Sequence, residues 1–97
     1  MITVQVRGER GDIVQRAECR LDWGALQQVD EDAYPHLGGL LPYADTMFNA
    51  RQAVRVRGEV GSRTIRELLG EEAAAEIADL CRTVEGGSHR YLWFLGD

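Results

Sequence analysis

The chain contains no lysine: all eleven of its basic residues are arginine. Arginine recognises phosphates and carboxylates through a planar fork. Here the arginines are scattered through every segment, which is what GC-rich coding produces on its own. Only two cysteines occur, Cys19 and Cys81, far apart and each on an expected apolar face. Without a C-x-x-C spacing they read as buried free thiols rather than a metal or redox pair. The two histidines, His36 and His89, show no ligand spacing on a helix. Together these absences leave no metal set and no cofactor to expect.

Other shortages narrow the reading further. Ser62 and Ser88 lack a Gly-x-Ser-x-Gly context. Gly8-x-x-Gly11 lies between two expected strands, and Gly86-Gly87 between a helix and a strand. Both read as turns, since a phosphate-cradling loop runs from strand to helix and usually carries a lysine. Positive charge is in deficit, with 16 acidic residues against 11 basic and a net charge of −5. That balance argues against general nucleic-acid binding, which needs a basic stripe. It suits a basic protein partner, or plain solubility. No apolar run reaches membrane-spanning length, so no membrane association is expected. The opening Met1-Ile2-Thr3-Val4 enters a strand pattern at once, without the features of a secretory signal, so a cytoplasmic location is expected.

What is present is an ordinary globular composition, 44% hydrophobic and 28% charged. Ninety-seven residues make one domain, 1–97. A chain of this size buries roughly 65% of its unfolded surface, enough for one modest core.

Ile2, Val4 and Val6 alternate with Thr3, Gln5 and Arg7, a half-buried strand. After the turn Gly8–Asp12, Ile13, Ala17, Cys19, Leu21 and Trp23 share one parity, and polar residues occupy most of the other. The two segments predict an antiparallel hairpin whose second strand is dry on the Ile13–Trp23 side. From Gly24 to Thr46 periodicity dissolves, apart from one helical turn at Ala25–Val29. Long irregular segments in small domains are often binding loops.

Asn49 with Gln52 forms a capping box, and Phe48 before it offers half of a hydrophobic staple. A helix over 50–60 follows, with Ala53, Val54 and Val60 inward. The strict alternation Val54-Arg55-Val56-Arg57 keeps a strand over the same residues as the rival. Thr64 and Glu67 form a second capping box, opening a short helix that Gly70 ends. Glu71–Val84 carries the clearest amphipathic stripe: Ala74, Ile77, Ala78, Cys81 and Val84, with Leu80 beside it. The closing run Tyr91-Leu92-Trp93-Phe94-Leu95 offers apolar side chains to both faces. It predicts a central strand covered on both sides, one by the helix 71–84 and the other by the loop 34–48 or by another molecule. Pairing with 2–6 would bring the terminal strands together. The fold class expected is α+β: a small antiparallel sheet, made of the N-terminal hairpin plus the C-terminal strand, with two or three helices packed on one face.

Candidate functional residues cluster in the irregular segment. Asp30, Glu31 and Asp32 form an acidic group, and Tyr34 and Tyr43 lie close in sequence. Acidic groups with embedded aromatics suit a protein partner, because aromatics anchor interfaces. His36, Asp45 and Trp93 are candidates to line a pocket between the sheet and the loop 34–48. No catalytic constellation emerges.

Met47-Phe48-Asn49-Ala50-Arg51-Gln52, then Leu80-Cys81-Arg82, then His89–Asp97 resemble a group of small actinomycete proteins. These share an F-N-x-x-Q element and a C-terminal Y-L-W-F-x-G-D. The resemblance covers the second half of the chain and implies a shared fold, with no established activity attached to it. The function expected is that of a non-enzymatic protein-binding domain, of the immunity or antitoxin kind or a small regulatory partner. A homo-oligomeric accessory protein, with a homodimer as the simplest form, and a small-molecule binder remain the alternatives.

Overall fold

The computed structural model describes residues 1–96. Asp97, the last residue of the C-terminal motif, lies outside them. Eight elements follow in order: β1 (Thr3–Gly8), β2 (Ile13–Arg16), α1 (Trp23–Leu26), β3 (Thr46–Phe48), α2 (Ala50–Val60), α3 (Arg63–Leu69), α4 (Glu71–Glu85) and β4 (Arg90–Leu95). The strands make one antiparallel sheet in the order β2-β1-β4-β3. Helices pack against it, an α+β architecture.

The last strand sits inside the sheet as its composition demands. β4 runs antiparallel to β1 over six residue pairs, from Thr3 opposite Leu95 to Gly8 opposite Arg90. Leu92 and Phe94 are fully buried, with Val4, Val6 and Ile2 beside them. Ala53, Val56 and Val60 of α2 and Ala74, Ile77, Cys81 and Val84 of α4 complete the same core. Their burial is the main stabilising term in a domain of this size. Among the described residues, no helix is long and apolar enough to cross a membrane.

Local chemistry explains the helix boundaries. The Asn49 side chain accepts from the Gln52 amide at 2.9 Å, and the Gln52 side chain accepts from the Asn49 amide at 3.0 Å. This reciprocal cap fixes residues 50–60 as helix and disposes of the strand alternative. Gly70 joins α3 to α4 with φ of 91°, a backbone region where a side chain would be strained.

Five expectations need correction. The second strand ends at Arg16, and Ile13 on its supposedly dry side is 42% exposed. Val14 is an extra residue between the pairs Val6–Gln15 and Arg7–Ile13, and this bulge breaks the alternation so that Ile13 stands opposite Arg7. The chain then bends at Glu18-Cys19 and rejoins β1 through the Ile2–Leu21 bridge. In α2 the inward valine is Val56, with no exposure, and Val54 is 47% exposed. Positions 53, 56 and 60 share a helical face, and position 54 starts a neighbouring one. The cap of α3 is Ser62, whose Oγ accepts from the Ile65 amide, so Thr64 lies inside the helix. The end of the expected loop 34–48 is instead an edge strand, β3, which pairs Thr46–Phe48 with Leu92–Phe94. The fifth concerns β4: the helices cover only its Leu92–Phe94 face, while Tyr91, Trp93 and Leu95 on the other face are partly buried.

The irregular segment 27–45 is compact. The Tyr34 amide donates to the Asp30 carbonyl and the Gly38 amide to the Tyr34 carbonyl, both at 2.8 Å. A Cβ on Gly38 would come within 2.5 Å of the Glu31 Cα, so the two ends of the turn touch backbone to backbone. Leu26, Val29, Leu37 and Leu40 bury into the same core as the helices. The segment therefore closes the helical side of the sheet and leaves the opposite face open.

Candidate functional site: the open face of the sheet

Strand pairing dictates which side chains share the uncovered face. Residues directly opposite in an antiparallel ladder project to the same side. Thr3, Gln5 and Arg7 of β1 thus stand beside Leu95, Trp93 and Tyr91 of β4. Met47 of β3 is paired with Trp93, and Arg16 of β2 with Gln5. Trp93 is the hub, flanked by Gln5 on one side and Met47 on the other.

The face is ordered by its own contacts. The Arg7 guanidinium carbon lies 4.9 Å from the centre of the Trp93 ring, a cation–π arrangement. Arg7 Nε also donates to Gln5 Oε1 at 3.0 Å, which holds the guanidinium over the indole. Met47 is 49% exposed next to them. The strand residues here contribute two cations, Arg7 and Arg16, and no carboxylate, in a chain of net charge −5. A polar groove of about 260 Å³ adjoins this face along β1 and β2, lined by Thr3, Gln5, Arg16, Glu18 and Arg20 among others.

The residues singled out by sequence fall in three places. Asp30, Glu31 and Asp32 are exposed, and the Asp32 amide donates to Asp30 Oδ1 at 3.1 Å, fixing the acidic turn. Tyr34 and His36 are brought together at the junction of α2 and α3. Hydrogen bonding to Ser62, then to Thr64, holds the Tyr34 hydroxyl below its ordinary pKa. His36 is fastened to Glu59, whose Oε2 lies 2.6 Å from the ring Nδ1 and accepts from the His36 amide at 3.2 Å. Glu59 Oε1 accepts from the Leu37 amide at 2.9 Å. The His36 ring also meets Phe48 edge-on, and Phe48 meets Phe94 in the same manner. His36 is thus a latch between loop and helix on the covered side.

Trp93 lies on the other side of the sheet, so the structure does not bring it to His36. Asp45 is exposed and immediately precedes β3. Tyr43 is 84% exposed at the loop tip. Among the described residues, no three His, Cys, Asp or Glu side chains converge as a metal site requires. Arg7, Gln5 and Met47 were passed over in the sequence. The signal was there: Arg7 and Gln5 are the outward members of the alternation in 2–7. Their neighbour across the ladder is set by pairing register, which no local pattern carries. No family model, curated protein or solved structure matches the chain.

Proposed function

We propose that this chain is a protein-binding domain that docks through the open face of its sheet. The observation that carries the reading is Trp93 and Met47 standing side by side, with Tyr91 and Leu95, on a face the helices leave uncovered. Aromatic and methionine side chains on a rigid sheet are the chemistry of an interface anchor. Arg7 and Arg16 supply the only charges of that strand face, so the fitting partner presents an apolar patch rimmed by carboxylates. The exposed acidic turn at Asp30–Asp32 lies outside the strand residues of this face. It accounts for solubility and for repulsion of unselected acidic proteins.

The test is affinity capture from the native host with the wild-type domain and with Met47→Asp and Trp93→Ala as parallel baits. A specific protein retained by the wild type and lost by both variants supports the reading. Its retention by both variants, each shown to be folded by circular dichroism, sinks it. Neutralising Asp30, Glu31 and Asp32 together leaves capture intact if the sheet face is the interface.

A further inference from the structure

A second concavity lies on the far side of the molecule, between α2, α3 and α4. It measures about 390 Å³, within the range of small-molecule sites. Three arginines line it, Arg57 from α2, Arg66 from α3 and Arg82 from α4, together with the buried Ala74, the partly buried Ala78 and the exposed Ala75. The alanines keep their part of the lining small and apolar. The arginines differ in how they are held. Arg57 makes a two-pronged bond to Glu85, Nε to Oε2 at 2.7 Å and Nη2 to Oε1 at 2.9 Å. Arg82 Nη1 donates to Asp79 Oδ1 at 2.9 Å. Neither Glu85 nor Asp79 lines the cleft, so the carboxylates orient these guanidiniums from outside it.

Arg66 has no such acceptor. Its Nε is buried and makes no hydrogen bond, and Glu71 Oε1 stands 3.8 Å away, beyond hydrogen-bond reach. A buried N–H left unmatched is unfavourable, because it has given up water without gaining an acceptor. The side chain as a whole is 43% exposed, and Arg66 is among the residues that line the cleft. With a small rotation of the guanidinium, one oxyanion could accept from Nη and Nε together, the forked geometry arginine favours.

We propose that this cleft binds a small organic oxyanion, a carboxylate or phosphate ester carried on an apolar body, with Arg66 as its fork and the alanines beneath the apolar part. The site is separate from the sheet face and stands or falls independently of it. Glu71 also lines the cleft and opposes any anion there, so the preference for an organic oxyanion over inorganic phosphate comes from the alanines beneath its apolar body.

The experiment titrates benzoate, phenyl phosphate and inorganic phosphate into the full chain while the arginine Nε–H signals are followed by NMR. Benzoate or phenyl phosphate should shift the Arg66 signal saturably and bind about tenfold or more tightly than inorganic phosphate, a preference of about 1.4 kcal/mol. Which of the two organic probes binds better identifies the headgroup. Arg66→Gln and Arg66→Lys should each weaken binding about tenfold, and Arg63→Gln, on the exposed side of α3, should not. Inorganic phosphate binding as tightly as phenyl phosphate overturns the proposal. So does an unmoved Arg66 signal, or an Arg66→Gln variant that is folded and binds as well as the wild type.

Discussion

At the scale of single residues, the side chain with most responsibility per atom is Glu76. One oxygen accepts from the Glu18 amide at 2.7 Å and the other from the Cys19 amide at 2.9 Å, so one carboxylate holds the bend that ends β2. Those donors, Glu18 first, hold its pKa below the ordinary 4.5. Glu85 is lowered likewise, by its hydrogen bonds from Arg57. A carboxylate with a depressed folded-state pKa stabilises the fold fully above its unfolded value. That contribution is lost as pH falls through the folded value. Urea denaturation should therefore show stability flat near neutrality and falling below about pH 4.5. Glu76→Gln should cost about 1–2 kcal/mol at pH 7 and make the acid slope shallower. An unchanged slope in the variant would remove Glu76 from the account.

The cysteines make the opposite residue-scale case. Burial raises Cys19 to about 11, with a hydrogen bond to Glu76 adding to it. Burial pushes Cys81 to about 12. Thiolate is the reactive form, so both thiols should be inert at pH 8 in the native protein. Labelling by an aromatic disulfide reagent should then track unfolding, accelerating across the urea transition. Rapid native-state labelling of either thiol would contradict its placement.

At the scale of elements, α2 shows how much the sequence carried. Its cap was written in Asn49 and Gln52, and the helix spans the expected residues 50–60. Its inward face was read one valine off, because the alternation 54–57 satisfies helix and strand patterns equally over so short a span. Exchanging the two valines one at a time settles the orientation energetically. Val56→Ala should cost about 2 kcal/mol, from lost burial and the cavity left behind. Val54→Lys should change stability by less than about 0.5 kcal/mol. Chemical denaturation of both variants checks the pair, and equal losses would mean the helix is rotated from the position described.

The neighbouring elements were legible to different degrees for related reasons. β4 was readable as an internal strand because its run is long and aromatic, and α4 because its stripe spans about three turns. β3 was not, since three residues give no period to count and its strand character comes from pairing with β4. The bend at Glu18-Cys19 was equally silent. It depends on a carboxylate more than fifty positions away, and sequence alternation continued straight through it. The same limit hid the open face, whose membership is decided by which strands pair.

At the scale of the whole molecule, the decisive property is how charge divides between the face of the sheet and the rest of the surface. The chain is acidic overall, yet the strand residues of the open face bear only Arg7 and Arg16. A twofold dimer is isologous, so docking this face on its own copy would gather the Arg7 and Arg16 cations of both copies into one interface with no strand carboxylate to offset them. At the same time the remaining surface of each copy would repel the other through its net negative charge. Both terms oppose self-association and both are screened by salt, over about 8 Å at physiological ionic strength. Sedimentation equilibrium at micromolar concentration should therefore show a monomer in low salt. Arg7→Gln combined with Arg16→Gln, which removes the facing cations and keeps the aromatic surface, should shift the equilibrium toward dimer. A wild-type dimer in low salt that disappears in Met47→Asp would show that the apolar contacts outweigh the repulsion, and the partner sought for this face would then be a second copy of the chain.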